Sequence, residues 1–333
     1  MKTRLVQLQN AAERAVALVE EPNLRVLEHF RSVHELATKA IAGGLALSDL
    51  ARKHATGTRL EYDTVYEGKS PWRLLTPIDH PEPSRCLVSG TGLTHLGSAK
   101  NRAAMHSVSE AEMTDSMKIF RWGVEKGRPA PGKIGIAPEW FYKGAGTVLR
   151  GPNEALVVPG YAEDGGEEAE IAGIYLVGED GTLWRVGMAP GNEFSDHKFE
   201  KKNYLNLAGS KLRTCSIGPE ICIDAAFQSV PGRVAIERAG QNIWSKEIAS
   251  GETEMCHSLA NIEHHHFKFD GHRRPGDVHV HYFGAVSLSF GDGLQLADGD
   301  IMTVQWSGFG RGLRNPLRIE SPNALPVTVN TLT

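Results

Sequence analysis

The chain has 333 residues, a formal net charge of −4 and 41% hydrophobic residues, enough for one large domain, or a main domain with a smaller one, around a sizeable core. Basic and acidic residues are interspersed without a polybasic face, so neither a nucleic acid nor an anionic membrane is an expected partner. Apolar runs such as 171–177 are far shorter than the roughly 20 residues that cross a bilayer, and the opening "MKTRLVQLQN" lacks the apolar core of a secretory signal, so a cytoplasmic protein is expected.

In chain order, "TRLVQL" (3–8), "RAVALVE" (14–20) and "LRVLEHF" (24–30) read as short strands, with "EPN" as a turn signal. A helical pattern follows from Ser32, which stands at capping-box spacing from Glu35, and Gly43 and Gly44 are expected to break it in two. Residues 1–75 thus make a small N-terminal α/β domain. The proline-punctuated stretch 70–85 leads into residues 76–333, where short apolar runs between glycine, proline and aspartate predict a β-rich domain with long functional loops, α+β overall. Residues 108–127 form an amphipathic helix, a packed surface helix by default and a lid by a second reading. Cys86, Cys215, Cys222 and Cys256 show no CxxC spacing and are expected to be reduced, mostly buried thiols.

The stretch "EEAEIAGIYL" (167–176) carries the chemistry. Alternate side chains of a strand share a face, so Glu168 and Glu170 point the same way. An E-x-E alone is most often a solvated edge, but a third acid, Glu193, follows in the loop after the predicted strand 183–189. Three carboxylates of this kind suit a hard cation, Mg²⁺ or Mn²⁺, which keeps waters and leaves room for a chelating substrate. His197 stands close by as a softer ligand.

The order of motifs resembles the fumarylacetoacetate hydrolase superfamily: Glu168-x-Glu170, Asn192-Glu193-Phe194-Ser195, Lys211, then Gly218-Pro219-Glu220-Ile221. Upstream, "WFYKGAG" resembles that family's F-x-K segment, with Lys143 as its lysine; downstream, 294–317 resembles its closing hairpin. The resemblance covers roughly residues 76–320 and implies a fumarylacetoacetate hydrolase-type fold, three metal carboxylates at Glu168, Glu170 and Glu193, and a homodimer. Two departures stand out. Glu193 occupies a slot that is usually aspartate, and His95 is followed three residues on by Ser98, where the C–C bond hydrolases have a glutamate that helps activate water. The stretch "GTGLTHLGSAKNR" (90–102) is similar instead to the 2-keto-3-deoxy sugar acid dehydratases of the superfamily, with Ser98 and Arg102 as matching positions.

The resemblance implies a 2-keto acid chelated to the cation, which stabilises the enolate formed when a proton leaves C3. Loss of a C4 hydroxyl from that enolate is dehydration, 2-keto-3-deoxypentonate giving 2,5-dioxopentanoate; attack of hydroxide on a C4 carbonyl is hydrolysis of a 2,4-diketo acid or acylpyruvate. The missing His–Glu pair favours the first. Lys143 is the expected base, Lys211 an electrostatic support, His95 a candidate acid, and Ser98, Arg102 and Ser287 the expected substrate contacts. A metal- or sugar-acid-binding protein without turnover is the reading from another class. His264, His265 and His266, read on a strand, cannot converge on one ion, and with His279 and His281 they are expected to be hydrogen-bonding or subunit-interface residues.

Overall fold

A computed structural model describes residues 2–97, 113–322 and 326–332. Strands dominate it, in two sheets. In the larger sheet the N-terminal strands Ala55–Glu61, Asn23–Leu27, Arg14–Glu20 and Arg4–Gln9 lie side by side. The row continues through Ile221–Cys222, Leu183–Asn192, Ala169–Val177, Val278–Tyr282, Cys86–Gly92 and Glu139–Ala145. The N-terminal unit is therefore hydrogen-bonded to the rest, Leu5 pairing with Ile221. One apolar cluster runs across that joint, from Leu5, Val16 and Leu36 to Ala172, Ile174, Ile217 and Val280. The smaller sheet holds Gln241–Ser250, Val230–Arg238, Ile301–Trp306, Leu313–Ile319 and Leu156–Val158.

The helical stretch after Ser32 is two helices, Val33–Ala42 and Leu47–Lys53, parted at Gly43 and Gly44, and the Ser32 side chain accepts the Glu35 N–H. The third predicted strand stops at Leu27 rather than at Phe30, because His29 takes a positive φ of 69° that ends extended backbone. The amphipathic helix spans Asp115–Lys126 behind a Thr114 cap; residues 108–112 lie outside the described residues. All four cysteines are buried and free. Among the described residues no helix is long and apolar enough to cross a membrane.

His264–His266 sit on the helix Leu259–Phe267 and not on a strand, because Ser258 caps it by accepting the Asn261 N–H. Helical spacing turns Leu259, Ile262 and His266 inward. His265 bonds the Gly135 carbonyl and His266 meets His279, so the expected hydrogen-bonding role describes both.

Two polar joints tie the later part of the chain together and to the first strand. Glu220, from the G-P-x-I motif, is fully buried and accepts from Arg4, Tyr62 and the Arg311 N–H, binding the first strand to the closing hairpin. Asn315 of that hairpin accepts from Ser216 and donates to the Gly151 and Glu154 carbonyls. Each buried polar atom would cost about 1–3 kcal/mol if left unpaired, so these contacts specify the packing.

Candidate active site

The strand Ala169–Val177 is buried along its whole length. Its hairpin partner Leu183–Asn192 pairs Ala169 with Asn192 and Glu170 with Gly191, and beyond the ladder the Glu193 N–H donates to the Glu168 carbonyl. Antiparallel register thus sets Glu193 beside the E-x-E pair. One oxygen from each of Glu168, Glu170 and Glu193 lies within 4.8 Å of the others, and all three residues are at most 1% exposed. Asn192 secures the corner by accepting the Glu168 N–H.

Two buried ammonium groups answer these charges. Lys211, at the end of the helix Leu207–Lys211, bridges Glu168 Oε1 at 2.7 Å and Glu193 Oε2 at 2.6 Å. Lys143 meets Glu193 Oε1 at 2.6 Å and donates to the Phe194 carbonyl at 2.7 Å. Val88 pairs with Gly144 and Ser89 with Tyr142, so Lys143 is the extra residue of a β-bulge, a device that re-aims a side chain. Phe194 contributes strain of its own: it is fully buried with φ 50°, the left-handed region. Burial pushes the Lys143 ammonium below its ordinary range, although Glu193 opposes the shift.

Three carboxylates against two ammonium groups leave one negative charge in excess. Glu170 carries the strain of that imbalance: Oε2 accepts the Gly284 N–H at 2.6 Å, while Oε1 is buried with no hydrogen-bond partner. Burial, with the charges of Glu193 and Glu168 beside it, pushes this carboxyl well above the usual range. An all-oxygen donor set with an orphaned buried oxygen fits a hard divalent cation held by Glu168, Glu170 and Glu193.

His197 is buried and its Nε2 lies 3.1 Å from Glu168 Oε1, so in this structure it braces a carboxylate of the nest. Burial alone would lower its pKa, but the hydrogen bond to Glu168 and the charges of Glu168 and Asp164 raise it overall.

Ser287 has a buried hydroxyl with no partner. Its loop is pinned at both ends, by Gly284 on Glu170 and by Ser289, whose N–H and hydroxyl both donate to Glu167. His95 departs from the expected acid. It is fully buried, its two ring nitrogens engage Thr94 and Ser250, and burial lowers its pKa to about 3. A neutral imidazole with both nitrogens engaged is no proton donor at neutral pH. Ser98 and Arg102 lie outside the described residues.

Sequence reading passed over Glu139 and Glu167. Glu139 is buried, and the alternation of the strand Glu139–Ala145 puts it on the face of Phe141 and Lys143. It stands opposite Gly92, where a Cβ would lie 1.7 Å from its Oε1. The same period-2 alternation that pairs Glu168 with Glu170 marks Glu139 in the sequence.

Together these features define the fold of the fumarylacetoacetate hydrolase type around a buried carboxylate nest. No family model matches the chain, and no curated protein matches it in sequence. Solved structures do match its fold. A 2-keto-3-deoxy-D-arabinonate dehydratase complexed with magnesium and 2,5-dioxopentanoate superposes with a TM-score of 0.69 at 17% identity, over 96% of this chain and 99% of that one. A 2-hydroxyhepta-2,4-diene-1,7-dioate isomerase from Mycobacterium marinum gives 0.58 at 18% identity, over 96% and 99%. The fumarylacetoacetate hydrolase of Exiguobacterium antarcticum gives 0.61 at 16%, over 96% and 100%.

Proposed function

We propose that this chain is a hydro-lyase that dehydrates a 2-keto-3-deoxy sugar acid, 2-keto-3-deoxypentonate to 2,5-dioxopentanoate, with Mg²⁺ or Mn²⁺ as its cofactor. The observation that carries the reading is the nest itself, three buried carboxylates with a partnerless Glu170 oxygen. The fold of the 2-keto-3-deoxy-D-arabinonate dehydratase supports the substrate class.

When bound, a divalent cation supplies Lewis acidity toward the keto and carboxylate oxygens of a 2-keto acid, which acidifies C3. Lys143, with its pKa lowered by burial, is assigned as the base for the C3 proton. Lys211 fixes Glu168 and Glu193 in one orientation and offsets their charge. The acid for the C4 hydroxyl, not available from His95, is assigned to Glu139, on the inward face that carries Lys143. Ser287, with its unspent hydroxyl, is assigned to the substrate, as are Ser98 and Arg102. Elimination is favoured over hydrolysis because His95 has no glutamate three residues on and spends both nitrogens on Thr94 and Ser250, leaving no pair to activate water.

The test is an assay of Mg²⁺-loaded protein with D- and L-2-keto-3-deoxypentonate, following 2,5-dioxopentanoate through a coupled aldehyde dehydrogenase, with a 2,4-diketo acid in parallel. Aldehyde from one epimer, abolished by EDTA, is the expected result. Cleavage of the diketo acid with both sugar acids untouched would turn the assignment to the hydrolase chemistry.

A further inference from the structure

Far along the sheet from the nest, the strand Asn23–Leu27 runs into Glu28 and His29, and His54 caps the C-terminus of the helix Leu47–Lys53. In extended backbone, neighbours such as Glu28 and His29 point to opposite faces. The left-handed φ of His29 breaks that alternation and sets its imidazole beside the preceding carboxylate. The Glu28 N–H donates to the His54 carbonyl at 2.9 Å, latching the two backbones where the three side chains meet.

The separations are informative. His29 Nε2 lies 3.7 Å from Glu28 Oε2, and His54 Nδ1 lies 3.9 Å from Glu28 Oε1. One donor atom from each residue lies within 4.8 Å of the other two. These distances are too long for hydrogen bonds. They approach the edge of about 3.3 Å that separates ligands around a tetrahedral ion with bonds of roughly 2.0–2.1 Å. The two imidazoles stand nearly perpendicular, at 81° with centroids 5.8 Å apart, and Phe30 holds His54 edge-on at 5.0 Å. His54 Nδ1 is moreover a buried atom with no hydrogen-bond partner.

We infer that Glu28, His29 and His54 form a second cation site, for a borderline divalent ion of the zinc class. Two imidazoles with one carboxylate select Zn²⁺, Ni²⁺ or Cu²⁺ over Mg²⁺, in contrast to the all-carboxylate nest. Glu28 and His29 are exposed, so water completes the coordination. The ion clips the turn after the strand Asn23–Leu27 to the end of the helix Leu47–Lys53, and by mass action it stabilises the folded chain.

The experiment is calorimetric titration of the full chain with Zn²⁺ in excess Mg²⁺, which keeps the nest filled, for the wild type, His29→Asn and His54→Gln. Asparagine tolerates the left-handed backbone of position 29. The wild type is expected to bind one equivalent of Zn²⁺ and to melt at a higher temperature with it. Each variant should weaken that binding at least about 100-fold, the upper end of what even an outer-shell partner is worth, and lose the Zn²⁺-dependent rise in Tm. His29→Asn lies at an exposed turn, so it reports on the site even if His54→Gln folds poorly. Equal Zn²⁺ binding by wild type and His29→Asn, or none by the wild type in Mg²⁺, overturns the site without touching the reading of the nest.

Discussion

The backbone N–H of Gly284 donates to Glu170 Oε2 at 2.6 Å and leaves the other oxygen of that buried carboxylate without a partner. Gly284 is constrained in turn: its φ is 111°, and a Cβ there would lie 2.0 Å from Thr94 Oγ1. The loop and the nest are therefore one unit, and the state of Glu170 reports on both.

Without a cation, a carboxyl whose pKa is raised in the folded state favours that state at low pH. Its contribution is lost as pH rises from the ordinary carboxylate range through the folded value. Mg²⁺ should therefore raise Tm more at pH 8 than at pH 6; at either pH, 100 times its Kd corresponds to about 2.7 kcal/mol of stabilisation. Thermal melts at both pH values check the ordering, and Glu170→Gln should abolish the pH dependence of the Mg²⁺ effect together with activity.

Lys143 and Lys211 should separate by kind of loss. Lys211→Met leaves Glu168 and Glu193 buried without their shared ammonium, which should cost about 3–5 kcal/mol of stability in the absence of a cation. Lys143→Met should lower kcat by roughly 10²–10⁴-fold even with Mn²⁺ saturating. Chemical denaturation and Mn²⁺ titration of both variants distinguish the roles, and a fully active Lys143→Met would remove the lysine base.

Glu139→Gln keeps shape and burial but removes the titratable carboxyl. A fall in kcat of about 10²–10⁴-fold with little change in KM is expected if this carboxyl acts in the transition state. Steady-state kinetics on the reactive epimer decide it; a change confined to KM would mean a substrate-binding role.

His197 touches the same Glu168 oxygen that Lys211 holds. His197→Phe should weaken Mn²⁺ binding by about 10–100-fold, the usual worth of a partner to a ligating carboxylate. His197→Gln, which still offers an N–H, should recover much of it. Calorimetry on both variants is the check.

Buried imidazoles set the acid limit. Burial lowers the pKa of His95 and His281 to about 3 and that of His279 to about 4, neighbouring imidazoles adding to the effect for the last two. A histidine depressed in the folded state contributes stability above its unfolded pKa of about 6.5. That stability is lost as pH falls below this value, at roughly 1.4 kcal/mol per pH unit for each group. Unfolding free energies between pH 7 and pH 5 should decline accordingly, and His279→Asn should shallow the slope.

Much of the site's local order could be read from the chain alone. Period-2 alternation put Glu168 and Glu170 on one face, and it also holds Glu139 on the face of Lys143, because strand direction is a property of each residue's own backbone. The glycine pair at Gly43 and Gly44 ended a helix for the same local reason. Tertiary structure decided what converges. Glu193 joins the pair only through hairpin register, Lys143 reaches it from a bulge in a distant strand, and His95 is drawn into the core by Ser250, 155 residues away. His264–His266 became helical through a cap at Ser258, and His54 meets Glu28 only because a strand and a helix end side by side. Sequence spacing sets the direction of a side chain from its own backbone, whereas the company it keeps depends on long-range pairing and on the burial that pairing creates.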